Sequence, residues 1–103
     1  MKSVLVATLM FLCISCSEKT QHKLHIVEIK GMKFTPAEIL VSPGDTILWI
    51  NRDIVAHDVT ELKTRSWHSG ALKTGASWSK VVNNSDDYFC SIHVVMTGKI
   101  KVN

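Results

Sequence analysis

Glu38-Ile39-Leu40-Val41-Ser42-Pro43-Gly44-Asp45-Thr46-Ile47-Leu48-Trp49-Ile50 decides the fold class. Two short apolar runs flank a turn, in which Pro43 presets φ at the second position and Gly44 tolerates a positive φ at the third. Thr46 to Ile50 is β-branched and aromatic, the composition of a buried strand. Outward from this unit the same grammar repeats. Leu24 to Ile29 precedes it, and a strand through Ala56 to Glu61 is expected after it. Trp78 to Val82 follows a long polar stretch, Asn83 to Asp86 turns the chain, and Tyr88-Phe89-Cys90 ends the next strand. Lys99 to Val102 alternates with period two, as a last strand with one wet face should. No window of about a dozen residues repeats at 3.6, so long helices are not expected. The pattern predicts an all-β sandwich or barrel of about six to eight short strands.

The chain has 103 residues, 46% of them apolar and 20% charged, which suits one packed domain and excludes a multidomain enzyme. Twelve Lys/Arg against nine Asp/Glu give a net charge of +3 with no basic run, so a nucleic-acid surface is not expected. No apolar stretch approaches the roughly 20 residues of a spanning helix.

The N-terminus reads as an address. Met1-Lys2-Ser3 is a positive start, Val4 to Ile14 is an apolar core, and polarity begins at Ser15-Cys16-Ser17. Ile14-Ser15-Cys16 resembles the lipobox of bacterial lipoproteins, with Cys13 where a leucine is usual. Residues 1–15 are therefore expected to be a lipoprotein signal peptide, 16–23 a lipidated Cys16 and its polar tether, and 24–103 the domain. Lipid on Cys16 would hold the chain at a membrane through buried methylenes, about 0.8 kcal/mol each. Cys13-x-x-Cys16 with Cys90-x-x-His93 also has the spacing of a zinc site, and the first pair alone that of a redox motif. Both readings require a pair at the end of the signal core to survive in the folded domain. Processing leaves Cys90 as the lone thiol, in an oxidising compartment where an unpaired cysteine needs a reason.

That reason lies in Cys90-Ser91-Ile92-His93-Val94-Val95-Met96, where thiol, imidazole and thioether recur at three-residue steps. His57 is a second imidazole, at an upstream strand end. Soft sulfur ligands select copper and imidazole suits both its oxidation states; two His, one Cys and a weak axial Met make a blue-copper set. Such a set suits neither oxidation state fully, so little need rearrange when one electron moves.

The sequence resembles the cupredoxins, the small blue copper proteins, in their plastocyanin, pseudoazurin and amicyanin branch. Three blocks carry the resemblance: Met32-Lys33-Phe34-Thr35-Pro36 through Gly44-Asp45-Thr46 to Trp49-Ile50-Asn51; Ser69-Gly70-Ala71-Leu72 through Gly75-Ala76-Ser77-Trp78; and Tyr88-x-Cys90-x-x-His93-x-x-Met96-x-Gly98-Lys99-Ile100. The two residues between His93 and Met96 resemble the short ligand loop of amicyanins. The resemblance implies a Greek-key β-sandwich of about seven or eight strands. It also implies one type 1 copper ion, with His57, Cys90 and His93 as strong ligands and Met96 as the axial one. Where the family usually has Asn after the first His ligand, this chain has Asp58. An ionised Asp58 near the site would stabilise Cu(II) and lower the potential; a protonated or solvent-facing one would not.

The implied function is single-electron transfer, without catalysis, in the periplasm or cell envelope. The partners implied are redox proteins of cytochrome or copper/quinone oxidoreductase type, docking transiently near His93, where Val94 and Val95 could supply an apolar patch. A monomer is expected, with no nucleic acid and with the membrane touched only through the N-terminal lipid. The alternative is copper sequestration or delivery. His22, His25 and His68 are expected to be solvated, Trp49 and Trp78 core, and Met32 packing.

Overall fold

The computed structural model describes residues 21–103 and, ahead of them, Ser3. The remaining residues of the expected signal segment, Cys13 among them, and Cys16, expected to carry lipid, lie outside the described residues. Eight strands are present: β1 (Leu24–Lys30), β2 (Lys33–Thr35), β3 (Glu38–Val41), β4 (Asp45–Asn51), β5 (Thr60–Glu61), β6 (Ser77–Val82), β7 (Asp86–Phe89) and β8 (Thr97–Val102). They form two four-stranded sheets, ordered β2-β1-β4-β6 and β3-β8-β7-β5. β1 runs parallel to β4, and β3 to β8; the remaining pairs are antiparallel. No helix among the described residues is long and apolar enough to cross a membrane.

Alternation along each strand builds the core. Val27 and Ile29 on β1, Ile47 and Trp49 on β4, Ile39 and Val41 on β3, and Tyr88 and Ile100 on β7 and β8 point inward and are buried. Trp49 lies at the centre. Its ring sits 5.5 Å from Trp78, its partner across the β4–β6 ladder, and 5.5 Å from Tyr88 of the opposite sheet in an edge arrangement. Phe34 meets Tyr88 edge-on at 4.7 Å. Burying one such aromatic removes roughly 200 Å² from water, about 5 kcal/mol before entropy is counted. Met32, expected in the packing, is instead exposed at the β1–β2 turn with φ +59°.

The turn at Ser42–Asp45 forms as the sequence dictates. Gly44 takes φ +88°, and Asp45 N–H donates to Ser42 O at 3.0 Å. The Asp45 carboxylate then gathers three donors, Lys23 N at 2.9 Å, Ser42 N at 3.0 Å and His25 Nε2 at 2.8 Å. His25 is thus tied into the fold rather than solvated, whereas His22 and His68 are exposed.

The strand expected over Ala56–Glu61 is reduced to Thr60–Glu61. Its first residues spend their backbone groups elsewhere. His57 exchanges both its bonds with Leu72, Val59 pairs with Ser69, and Asp58 N–H donates to the Cys90 sulfur. This departure from a ladder is what aims His57 at its site.

Glu61 closes the element. Its buried carboxylate accepts from Lys63 N at 3.0 Å, Thr64 N at 2.7 Å, Thr64 Oγ1 at 2.9 Å and Ser66 N at 3.3 Å. These donors, the Thr64 N–H foremost, hold its pKa down to about 2 from the ordinary 4.5. Asp45 is likewise lowered, first by the Lys23 N–H and then by His25. A depressed carboxyl stabilises the fold above its ordinary pKa and loses that contribution as pH falls through the folded value. Urea midpoints should therefore hold from pH 7 to about 5 and fall between about 4.5 and 2. Glu61→Gln should lower the neutral midpoint and flatten that acid limb; an unchanged limb would show that Glu61 does not set it.

Candidate metal centre

Three segments converge at one end of the sandwich, where β1 and β4 finish. The first is the loop after β4, which carries His57. Asn51, fully buried, holds this loop through both ends of its amide: Nδ2 donates to Val55 O and Leu72 O, each at 2.8 Å, and Oδ1 accepts from Asp53 N at 2.9 Å. The second segment is Leu72, paired to the His57 backbone. The third is the loop from Cys90, just past β7, to Met96, just before β8. Two backbone bonds close it, Cys90 N to Met96 O and Met96 N to His93 O, both at 3.0 Å.

His57 Nδ1, Cys90 Sγ and His93 Nδ1 face one another. Sulfur lies 3.8 Å from the first nitrogen and 4.0 Å from the second, and the two nitrogens are 3.1 Å apart. All the ligand atoms of this trio lie within 4.8 Å of one another. The His57 tautomer follows from its other nitrogen. Nε2 sits 2.8 Å from Asp53 Oδ2, a carboxylate that only accepts, so Nε2 carries the proton and Nδ1 presents a lone pair inward. A lone pair facing a second ring nitrogen and a thiol, with His57 and Cys90 fully buried, is an arrangement that a soft cation satisfies. Bonds of about 2.0–2.3 Å, as metals make to imidazole and thiolate, span such separations. The donor chemistry therefore fits copper. Met96 is buried at the closing end of the same loop.

Asp53 was not singled out in the sequence, although it stands four residues before His57 on the same loop. Its carboxylate also accepts from Gly31 N at 2.7 Å and Met32 N at 3.0 Å. The Met32 N–H foremost, then His57 and Gly31, hold its carboxyl below the usual range. Asp53 therefore fixes the His57 ring against the β1–β2 turn, an orientation that ligand histidines commonly receive from such a partner.

Asp58 is buried and turned toward the site rather than solvent-facing. Oδ1 accepts from Ser91 N at 2.7 Å and from Thr60 Oγ1 at 3.1 Å, and Oδ2 accepts from the Ser91 hydroxyl. Its own N–H donates to Cys90 Sγ at 3.3 Å. One residue thus ties the His57 loop to the Cys90 loop through both backbone and side chain.

His57 is sealed, while His93 is only half-buried and lies at the surface. Around it the ligand loop exposes Ile92, Val94 and, at 86%, Val95; the loop before His57 adds Ile54 and Val55 at the same end. Ile54 and Val55 lie in no strand pattern and so gave no signal in the sequence.

A family model described as copper binding proteins of the plastocyanin/azurin family matches residues 21–103. Amicyanin of Paracoccus denitrificans is 31% identical over 83 residues, and that of Paracoccus versutus 28%, each alignment covering 75% of this chain. The chain spans 63% of the length of these two relatives. A solved Cu(I) structure of an amicyanin mutant superposes with a TM-score of 0.72 at 28% identity, covering 78% of this chain and 82% of that one. The donor set, with this fold, is that of a type 1 copper site.

Proposed function

Because the chain belongs to the plastocyanin/azurin family of copper-binding proteins, we propose that it is an exported carrier of single electrons. His57, Cys90 and His93 would hold one copper ion as its strong ligands, with Met96 as a weaker fourth. Copper, when bound, supplies the one-electron couple between Cu(I) and Cu(II). The chain's residues do the rest. Asp53 holds the His57 ring, and Asp58 holds the Cys90 loop, in place. The buried side of the site excludes water, and His93 provides the edge through which an electron passes. The chain is a carrier rather than an enzyme, in keeping with its family.

The observation that carries this reading is the asymmetry of the two imidazoles. One is buried and braced; the other opens onto an apolar rim of Ile92, Val94 and Val95. Such a rim suits brief docking through a small interface. The partners would be redox proteins of cytochrome or copper/quinone oxidoreductase type. We further assign residues 1–15 as signal peptide and Cys16 as the lipid-bearing residue, which places the carrier at a membrane of the bacterial cell envelope.

Titrating Cu(II) into residues 21–103 tests the proposal. An intense blue band at equimolar copper is expected, bleached by ascorbate and absent from Cys90→Ala. A colourless protein that nevertheless retains Cu(I) would overturn the carrier and assign the chain to copper sequestration or delivery.

A further inference from the structure

β1 and β4 run parallel, so both begin at the end where the chain enters the fold and finish beside the metal centre. Their alternation leaves one side chain in two on the outer face of the sheet. At the entry end that face is apolar. Leu24, Ile26 and Val81 are 60%, 50% and 56% exposed, and the half-buried Leu48 lies between them through the pairs Ile26↔Leu48 and Leu48↔Ser79. Toward the metal end the same face turns basic. Among the described residues, Lys30 and Lys33 pair across β1 and β2, Arg52 lies 3.5 Å from Glu28 on the same face, and Asp53 caps the turn between the two lysines. Aliphatic residues at one end and three cations outnumbering their carboxylates at the other make a face amphipathic along its length.

We propose that this outer face is a membrane seat, lying side-on against an anionic bilayer. This rests on the lipid anchor at Cys16 assigned above, and goes beyond it, because the anchor alone would leave the domain free to turn on its tether. The seven residues between Cys16 and Leu24 reach at most about 25 Å when extended. The face begins at Leu24, where the tether ends, so its apolar end is held close to the lipid. Leu24, Ile26 and Val81 then meet the headgroup boundary, and the cations meet anionic headgroups, the two contributions that bind interfacial segments. Seated this way, the His93 rim points along the membrane surface rather than into it. The carrier would meet partners by moving laterally.

The test uses the full chain, lipidated in a bacterial host and held in nanodiscs of phosphatidylcholine and phosphatidylglycerol carrying a gadolinium chelate on a lipid headgroup, a paramagnet that ascorbate does not reduce. Ascorbate keeps bound copper diamagnetic. Amide signals of Leu24, Ile26 and Val81 are expected to broaden several-fold more than those of Leu40 and Asp87 on the opposite sheet. Ile26→Asp with Val81→Asp should abolish the difference, and Leu40→Asp should leave it. Equal broadening of both sheets would overturn the seat while leaving the anchor intact. A chain that does not co-migrate with the nanodiscs, and whose Cys16 carries no lipid by mass spectrometry, would overturn the anchor and the seat together. A dimer that protects this face in solution would overturn the seat in favour of a second copy.

Discussion

Gly98→Ala should unfold the protein in milder conditions than any surface change. A Cβ at Gly98 would overlap Tyr88 Cζ and Oη and come within 2.6 Å of Cε2. Tyr88 has nowhere to go. It is fully buried, Gly98 faces it across the β7–β8 ladder, and Phe34 and Trp49 meet its ring edge-on at 4.7 and 5.5 Å. Overpacking of this kind costs about 1–3 kcal/mol, and the upper end applies where the neighbours are rigid aromatics. For a domain of this size that is a fall in Tm of roughly 10 °C or more. Thermal unfolding followed by circular dichroism measures it directly. The cause is separable: in a Tyr88→Leu background the same substitution should cost far less, the coupling a double-mutant cycle detects. An equal cost in both backgrounds would mean that the Tyr88 ring is not what forbids the methyl. The glycine in Met96-x-Gly98 is thus a packing requirement of the strand that follows the ligand loop.

Asp58→Asn is expected to raise the reduction potential of the copper-loaded protein by several tens of millivolts. The side chain accepts from the Ser91 N–H and pairs with the Ser91 and Thr60 hydroxyls. A negative charge at this place, beside the Cys90 loop, would favour the more positive Cu(II), and removing it would favour Cu(I), so the shift reads whether the group carries one. A tenfold change in that preference is about 59 mV for one electron. Asparagine keeps a carbonyl to accept from Ser91 N–H, so the blue band should survive. Asp58→Ala goes further, leaving the Ser91 and Thr60 donors without their acceptor. That costs about 1–3 kcal/mol and loosens the bridge between the two ligand loops. Cyclic voltammetry of the two variants beside the native chain distinguishes charge from tether. An upward shift confined to Asp58→Ala would assign the effect to lost positioning rather than charge.

The all-β class, the Ser42–Asp45 turn and six of the eight strands were legible in the chain because each depends on neighbours only a few residues away. Alternation, turn chemistry and β-branched runs are local quantities. β2 was not visible: three residues between a turn and Pro36 carry too little periodicity. The segment before Thr60 misled for the opposite reason. Ala56 to Glu61 has the composition of a strand, but His57, Asp58 and Val59 bond to Leu72, Cys90 and Ser69.

The site divides along the same line. The sequence by itself determined that the strand leading to Cys90 is followed by an imidazole and a thioether at three-residue steps, and that one more histidine stands upstream, since composition and spacing are one-dimensional facts. Only the tertiary structure decided that Asp53 orients His57, that Asp58 turns inward to Ser91, that Asp45 captures His25, and that one sheet face keeps Leu24, Ile26 and Val81 in solvent. Some of these contacts join residues 20 to 33 positions apart, and even the four-residue step from Asp53 to His57 depends on Asn51 holding the loop to Leu72. Their partners are set by strand register and loop closure, and no reading of neighbours along the chain contains that information.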